Sequence, residues 1–344
     1  MSHPKVNVAI VGASGYSGEE LLRLLTRHPG VDITTITSRQ YDGQPVSEVF
    51  PRFGGSGLKF TAPDVAAIAK TAQAAFLALP HGLAAEFAIP LMEAGVKIID
   101  LSADFRLKSL AQYKKYYKED HPSPALLAAS VYGAPERKRE AIRKADLIAC
   151  PGCYPTSIVL PLAPLLKAGL VSAQGIVCSS MSGVSGAGRK VALEYIFPEC
   201  NESCRPYGVS GHRHLPEIEQ ELAEQAGLAE VKINFIPHLV PVNRGIHSSI
   251  IADVAPGCTM EAVQACWKAA YGNEPFVRIL PPGKLADTKN VTLTNTCEFG
   301  AVLDPHTGKI ILSSAIDNLT KGAAGQAVQC FNIIFGFDEK MSLI

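Results

Sequence analysis

The chain has 344 residues, balances 32 Lys plus Arg against 32 Asp plus Glu, and is 47% hydrophobic. That is enough for two domains of ordinary size, each with its own core. The even charge, with no aromatic-basic patch, argues against nucleic acid as a partner. No apolar stretch nears the roughly 20 residues of a membrane span, and the short run after Lys5 does not make a signal peptide.

Val6 to Val11 is a β-branched run that reads as a buried parallel strand. It ends in Gly12-Ala13-Ser14-Gly15-Tyr16-Ser17-Gly18, after which Glu19 to Arg27 has helical spacing. Strand, glycine turn and helix are the context of a dinucleotide fingerprint, here spaced G-x-x-G-x-x-G. Glycines let the backbone approach a pyrophosphate, and a helix N-terminus stabilises its charge. Gly12, Ser14, Gly15, Tyr16, Ser17 and Gly18 are therefore candidate cofactor contacts. The strand at Asp32 to Thr37 ends in Ser38-Arg39, where an NAD site usually places a carboxylate. A hydroxyl and a guanidinium suit a ribose 2′-phosphate, so NADP(H) is expected, with a solvated loop arginine as the plainer alternative.

Strand and helix signals go on alternating: a strand at Ala75 to Leu79, a helix at Leu83 to Ala94, a strand at Lys97 to Leu101. A polar, tyrosine-rich excursion covers Asp104 to Glu140, and a further strand ends at Ala149. Alternation predicts a parallel sheet with helices on both faces.

Next comes Cys150-Pro151-Gly152-Cys153-Tyr154-Pro155-Thr156, and a helix over Ser157 to Lys167. A thiol at this point faces unpaired N–H groups and the positive end of a helix dipole, and both favour thiolate. Cys153 is the candidate nucleophile. The nine cysteines are odd in number and scattered, which suggests reduced thiols in a cytoplasmic protein. No metal site is expected, because no second pair with zinc-ligand spacing accompanies Cys200 and Cys204.

Beyond Gly169 strands outnumber helices: Gly175 to Met181, Val231 to Pro237, Ile246 to Asp253, Phe276 to Leu280, Asn295 to Leu303 and Lys309 to Ala315, against helices at Leu215 to Ala226 and Thr259 to Tyr271. A last helix is predicted from Asp317 to Phe335, returning to the first domain. The expected fold is α/β: a Rossmann-type doubly wound parallel sheet, with a second α+β domain on a mostly antiparallel sheet. The expected domains are 1–152, completed by 317–344, for NADP, and 153–316 for catalysis, substrate and oligomerisation.

Four more segments are unusual: Asp100-Leu101-Ser102-Ala103-Asp104-Phe105-Arg106, the glycine-serine turn at 182–189, His212-Arg213-His214-Leu215-Pro216-Glu217, and the block opening at Asp317-Asn318. With these and Leu79-Pro80-His81-Gly82 and Pro237 to Gly245, the chain resembles the N-acetyl-γ-glutamyl-phosphate reductases, within the wider aspartate-semialdehyde dehydrogenase group. The resemblance runs from about Lys5 to the final helix. It implies NADPH-dependent reduction of an acyl phosphate to an aldehyde, in arginine biosynthesis, through a thioester on Cys153. The acid/base then falls to the His212/His214 pair, with His214 preferred. Arg106 is implied as the phosphate ligand. Arg244 is a second candidate, for phosphate or the substrate's α-carboxylate. Glu217 is a candidate to orient His214 or bind substrate, or else simply a first-turn helix carboxylate. Gly186, Ala187 and Gly188 are implied at the nicotinamide end, and Asn318 at the nicotinamide or its neighbouring phosphate. A homodimer or homotetramer is implied as well.

Where the family usually has asparagine, this chain has Cys150, creating Cys-Pro-Gly-Cys. A reversible Cys150–Cys153 disulfide is one reading; a small buried thiol is the other. The rival functions are aspartate-semialdehyde dehydrogenase, a carrier-linked aminoadipyl-phosphate reductase, a thiol–disulfide oxidoreductase and a silent NADP sensor. The last two leave the arginines and the histidine block unexplained.

Overall fold

The structure is a computed structural model that describes residues 4–343. It divides into two compact units: Met1–Leu110 with Asp120–Pro151 and Ala323–Ile344, and Ala111–Glu119 with Gly152–Gly322. Thus 317–322, and part of the tyrosine-rich excursion, cluster with the second unit rather than the first.

The first unit is built on β1 (Val6–Val11), β2 (Val31–Ile36), β3 (Ala74–Leu77), β4 (Lys97–Asp100), β5 (Val131–Tyr132) and β6 (Leu147–Ala149). All pair in parallel, in the order β2-β1-β3-β4-β6-β5. The strands are short and apolar because both faces are covered; β3 and β6 are buried throughout. The first helix runs Tyr16–Leu25, starting three residues earlier than the periodicity predicts. Its opening turn, Tyr-Ser-Gly, carries no apolar period; the backbone, not the side chains, starts it there.

The second unit holds β7 (Ile176–Gly183), β8 (Arg205–Pro206), β9 (Ile233–Val240), β10 (Ile246–Asp253), β11 (Val277–Ile279), β12 (Cys297–Leu303) and β13 (Lys309–Ile316). Their order is β11-β12-β13-β10-β7-β9-β8; β11 with β12 and β7 with β9 run parallel and the other neighbours antiparallel. Residues alternate between buried and more exposed along β10, as on a sheet with one covered face.

The helix at the centre of this unit is Cys153–Lys167, and it begins at the cysteine itself rather than at Ser157. Pro155 falls at its third position, where no intrahelical N–H bond is lost. Twelve of its fifteen residues are buried, so it is a core helix with no polar stripe. Trp267 Nε1–H donates to the Pro161 carbonyl at 2.8 Å, satisfying a fully buried indole. Near the C-terminus a π-turn at Thr320–Ala324 precedes the α-helix Gly325–Phe335, where a single α-helix from Asp317 was expected. No described helix is long and apolar enough to cross a membrane.

Candidate active site

In the first unit, Gly12 sits at φ +84°, and a Cβ there would lie 2.5 Å from the Ala78 carbonyl oxygen. Only glycine fits both constraints. At Gly18 a Cβ would lie 2.5 Å from the Ala13 Cα, so helix and loop touch backbone to backbone. Gly15 is different: its added Cβ would meet nothing nearer than the Gly12 carbonyl oxygen at 3.9 Å. It caps the Tyr16–Leu25 helix without a side-chain hydrogen bond. The loop is therefore pinned at its ends and open at its centre, in front of helix N–H groups that suit a pyrophosphate. Thr37 Oγ1 accepts from Gly12 N–H at 3.2 Å, and the Ser38 and Ser14 hydroxyls meet at 3.1 Å. Ser38 is buried while the neighbouring Arg39 is exposed.

Also in this unit, Asp104 accepts from the N–H groups of Gly82 and Ala84 and pairs with His81 at 2.7 Å. Burial pushes its carboxyl up, but His81 and the two N–H groups outweigh that and leave it below its ordinary value. Asp100 goes the other way. Burial, then the charge of Asp104, lifts it to about 7. Arg106 is buried, with Nε donating to the Cys150 carbonyl at 2.7 Å and Nη2 to the Leu101 carbonyl at 2.9 Å. Cys150 is wholly buried, and burial, aided by Cys330 and Asp100, pushes its thiol up.

In the second unit, Cys153 opens its helix at the wall of a cavity of about 560 Å³. Tyr154, Ser182, Gly186, Ala187, Tyr195, Tyr207, His212, His214 and Leu239 line it, together with Lys190, Arg205, Arg213 and Glu194. Three cations against one carboxylate make the cavity suited to an anion. The His214 ring lies on Gly152, the residue before the nucleophile: a Cβ there would stand 2.4 Å from His214 Nε2. A side chain at 152 would thus displace the imidazole. Gly322 leaves similar room, since its Cβ would fall 2.7 Å from the Cys153 Cβ.

The two histidines are not equivalent. His212 Nδ1 accepts from the His214 backbone N–H at 3.1 Å, which puts its proton on Nε2. Its ring packs edge-on to Tyr154, Tyr207 and Phe235. Burial, then the Arg213 charge, lowers it to about 4. His212 is therefore a neutral cap at the start of the His214–Ala226 helix. The fully buried Glu217 accepts from Gly152 N–H at 2.8 Å and so fixes the turn that presents Cys153.

Two family models match, described as "Semialdehyde dehydrogenase, NAD binding domain" over residues 7–145 and "Semialdehyde dehydrogenase, dimerisation domain" over 153–318. The chain is 56% identical to the N-acetyl-gamma-glutamyl-phosphate reductase of Akkermansia muciniphila, over 98% of this chain and 99% of that one. It is 46% identical to the protein of the same name from Moorella thermoacetica, over 98% of each. The chain belongs to the N-acetyl-gamma-glutamyl-phosphate reductase family. Among solved structures, aspartate semialdehyde dehydrogenase II from Vibrio cholerae superimposes with a TM-score of 0.74, covering 96% of this chain and 98% of that one. At 21% identity, that likeness concerns the fold alone.

Within this family frame, the cavity gathers Cys153, His212, His214, Gly186 and Ala187 of the residues singled out from sequence. Its lining includes neither Arg244 nor Glu217. Arg244 Nη1 instead sits 3.2 Å from both carboxylate oxygens of Asp317. Asn318 is also turned inward: its Oδ1 accepts from Gly245 N–H at 2.8 Å and its Nδ2 donates to Ser185 at 2.9 Å, which ties the glycine-serine turn down. The sequence reading did not single out Lys190, Tyr195, Arg205, Tyr207 or Leu239, and gave Arg213 no role. Leu239 and Arg213 lie inside motif segments that were noted for other residues, and the rest belong to no periodic or motif pattern. Thr37, beside a motif, and the buried Asp317, which opens one, were also given no role.

Proposed function

We propose that this chain reduces N-acetyl-γ-glutamyl phosphate to N-acetyl-glutamate 5-semialdehyde and inorganic phosphate, with NADPH, as a step of arginine biosynthesis. The observation that carries this reading is Cys153 at a helix N-terminus, beside His214 and in a cavity lined by three cations. The Cys153 sulfur attacks the γ-acyl carbon, the carbon–oxygen bond to phosphate breaks, and a thioester remains on the chain. Backbone N–H groups of the first turn favour the anionic sulfur for that attack. His214 takes the thiol proton and later moves a proton at the hemiacetal oxygen, whose collapse restores the thiolate and frees the aldehyde. His212 and Glu217 position these two groups. Lys190, Arg205 and Arg213 are assigned to the phosphate and the α-carboxylate.

The nucleotide loop fits NADP(H), because its centre is open, where a Cβ would come no nearer than 3.9 Å to another atom, and its ends are closed. Gly12, Ser14, Gly15, Tyr16, Ser17 and Gly18 would hold the pyrophosphate, Ser38 and Arg39 the 2′-phosphate, and Gly186 to Gly188 the nicotinamide end. The chemistry that bound NADPH supplies is hydride donation to the thioester carbon. Asn318 positions the turn at 183–188 rather than touching a ligand. A phosphate role for Arg106 draws on family resemblance alone; its hydrogen bonds support a role in fixing the Cys150 carbonyl. A homodimer or homotetramer in the cytoplasm completes the reading, supported by the dimerisation-domain match and by nine thiols with no disulfide among them.

The test is the reverse assay with NADP and phosphate, following nicotinamide absorbance. N-acetylglutamate semialdehyde is expected to turn over. Turnover of aspartate semialdehyde alone would reassign the substrate.

A further inference from the structure

Three strands of the second unit end at one edge. Ile246, the first residue of β10, pairs with Ser182 near the end of β7 and with Ile316, the last residue of β13. The turns at 183–188, 241–245 and 317–322 therefore leave the sheet side by side. The first two are joined through backbone: Gly183, Val184 and Ser185 donate their N–H groups to the carbonyls of Gly245, Val242 and Asn243 at 2.9, 2.9 and 3.1 Å. Asn318 ties both of them to the third, through the Gly245 N–H and the Ser185 hydroxyl. The far end of that third turn lies on the nucleophile, because a Cβ at Gly322 would stand 2.7 Å from the Cys153 Cβ. One short segment thus touches Cys153 at one end and holds the glycine-serine turn at the other.

Asp317 stiffens this segment. It is fully buried and lies outside the cavity lining. Its Oδ1 accepts from the N–H groups of Leu319 at 2.8 Å and Thr320 at 2.9 Å, and its Oδ2 from the Leu293 N–H at 2.7 Å. Arg244 Nη1 donates to both oxygens, and the Asp317 carbonyl accepts from Gly322 N–H at 2.9 Å, which closes the turn. Leu293 is held at φ +64°, a conformation that costs an L side chain energy, and its bond to Asp317 offsets that cost. We infer that Asp317 is a positioning residue for hydride transfer, fixing the spacing between Cys153 and the turn that holds the nicotinamide. The inference rests on the reading above, which gives Cys153 the thioester and Gly186 to Gly188 the nicotinamide end. Reacting atoms must approach to roughly 3–3.5 Å, and a displacement of about 1 Å can cost about 100-fold in rate. A segment tied to both reacting groups sets that distance only while it does not flex.

Asp317→Asn keeps the shape, but whichever way the amide turns, its NH₂ faces other donors. The full-length wild type, Asp317→Asn and Ser185→Ala are compared in the reverse direction, with NADP and N-acetylglutamate semialdehyde carrying hydrogen or deuterium on the aldehyde carbon. Single-turnover nicotinamide absorbance reads hydride transfer, iodoacetamide labelling reads Cys153, and amide hydrogen exchange of the ligand-free protein reads the turns. Asp317→Asn is expected to slow the isotope-sensitive rise by about 10- to 100-fold and to speed exchange at 183–188 by at least about tenfold, with NADP affinity and Cys153 labelling within about threefold of the wild type. Ser185→Ala, which removes only the last hydrogen bond of the chain, should slow the same rise by about two- to tenfold. An isotope-sensitive rate in Asp317→Asn within about twofold of the wild type, or unchanged exchange at 183–188, overturns the inference. If Asp317→Asn loses NADP binding and Cys153 labelling together with the rate, Ser185→Ala decides: a selective slowing upholds the inference and an unchanged rate rejects it. A wild type that oxidises aspartate semialdehyde alone reassigns the substrate, and the same comparison is then read with that aldehyde. A wild type that oxidises neither overturns both.

Discussion

The nucleotide loop and the cysteine cavity solve their tasks at opposite scales. The loop works within residues 12–18, and what it needs is backbone: a positive φ at Gly12, contact at Gly18, vacancy at Gly15. The cavity draws on residues 153–154, 182–195, 205–214 and 239, and what it needs is side chains brought together. A site made of backbone can be written in one short motif, because each requirement is the absence of a side chain at a given position. A site made of side chains depends on where each strand and turn delivers them. The two regions should therefore fail differently when altered.

The sharpest contrast is at Cys153. Cys153→Ser is expected to remove reductase activity by at least about 10⁴-fold, as loss of a covalent nucleophile does, while NADP still binds. Residual activity within tenfold of the wild type would end the thioester reading. His214→Asn should cost about 10²–10⁴-fold in kcat, the range of general acid–base catalysis. His212→Asn should cost far less in kcat, because His212 serves as a cap. Equal losses would erase the distinction drawn between the two rings. On the nucleotide side, Arg39→Ala should weaken NADPH binding by about 10- to 100-fold and leave NADH unchanged, as one charge-assisted contact warrants. Parallel titrations with both nucleotides read this directly. Smallest is Gly15→Ala, expected to weaken NADP binding by roughly tenfold, about 1.4 kcal/mol, with no loss of melting temperature. Gly12→Ala, by contrast, should destabilise the fold by at least about 1–2 kcal/mol, since its φ is positive.

Acidity separates the two units too. His212 has a folded value of about 4, below its ordinary 6.5, so the unfolded chain binds more protons between those limits. Its contribution to stability is complete above pH 6.5 and is lost as pH falls towards 4. Asp100 has a folded value of about 7, above its ordinary 3.8. There the folded chain binds more protons, so stability falls as pH rises from 3.8 to 7. The two slopes oppose each other across nearly the same window. Asp100→Asn should make stability climb more steeply from pH 4 to 6.5, and His212→Asn should flatten or invert that climb. Urea midpoints at several pH values measure both, and unchanged slopes would contradict the assignment of these two shifts.

Much of this molecule can be read along the chain. Strand, glycine turn and helix at residues 6–25 follow from β-branched runs and glycine spacing. The alternation of elements before residue 150 announces the parallel sheet, and the strand-rich texture after Gly169 announces the mixed one. Cys153 stands out because a thiol before a helix is a local arrangement. Element ends were less legible. The helix at Cys153 starts four residues before its apolar pattern, since Pro155 in the first turn is permissive rather than prohibitive. The last helix begins as a π-turn for which composition gives no warning.

Tertiary structure alone decided how the polar groups are used. His212 and His214 are two residues apart and chemically identical, and only folding makes one a neutral cap and sets the other on Gly152, the residue before Cys153. Glu217 could have faced solvent; buried, it receives the Gly152 N–H. Arg244 looked as suited to substrate as any arginine, yet its guanidinium meets Asp317, 73 residues away. The physical reason is the same each time. Backbone preference and apolar periodicity act between near neighbours and leave a trace in local sequence. A hydrogen bond or ion pair is set by which distant atoms arrive within about 3 Å, and no spacing along the chain records that.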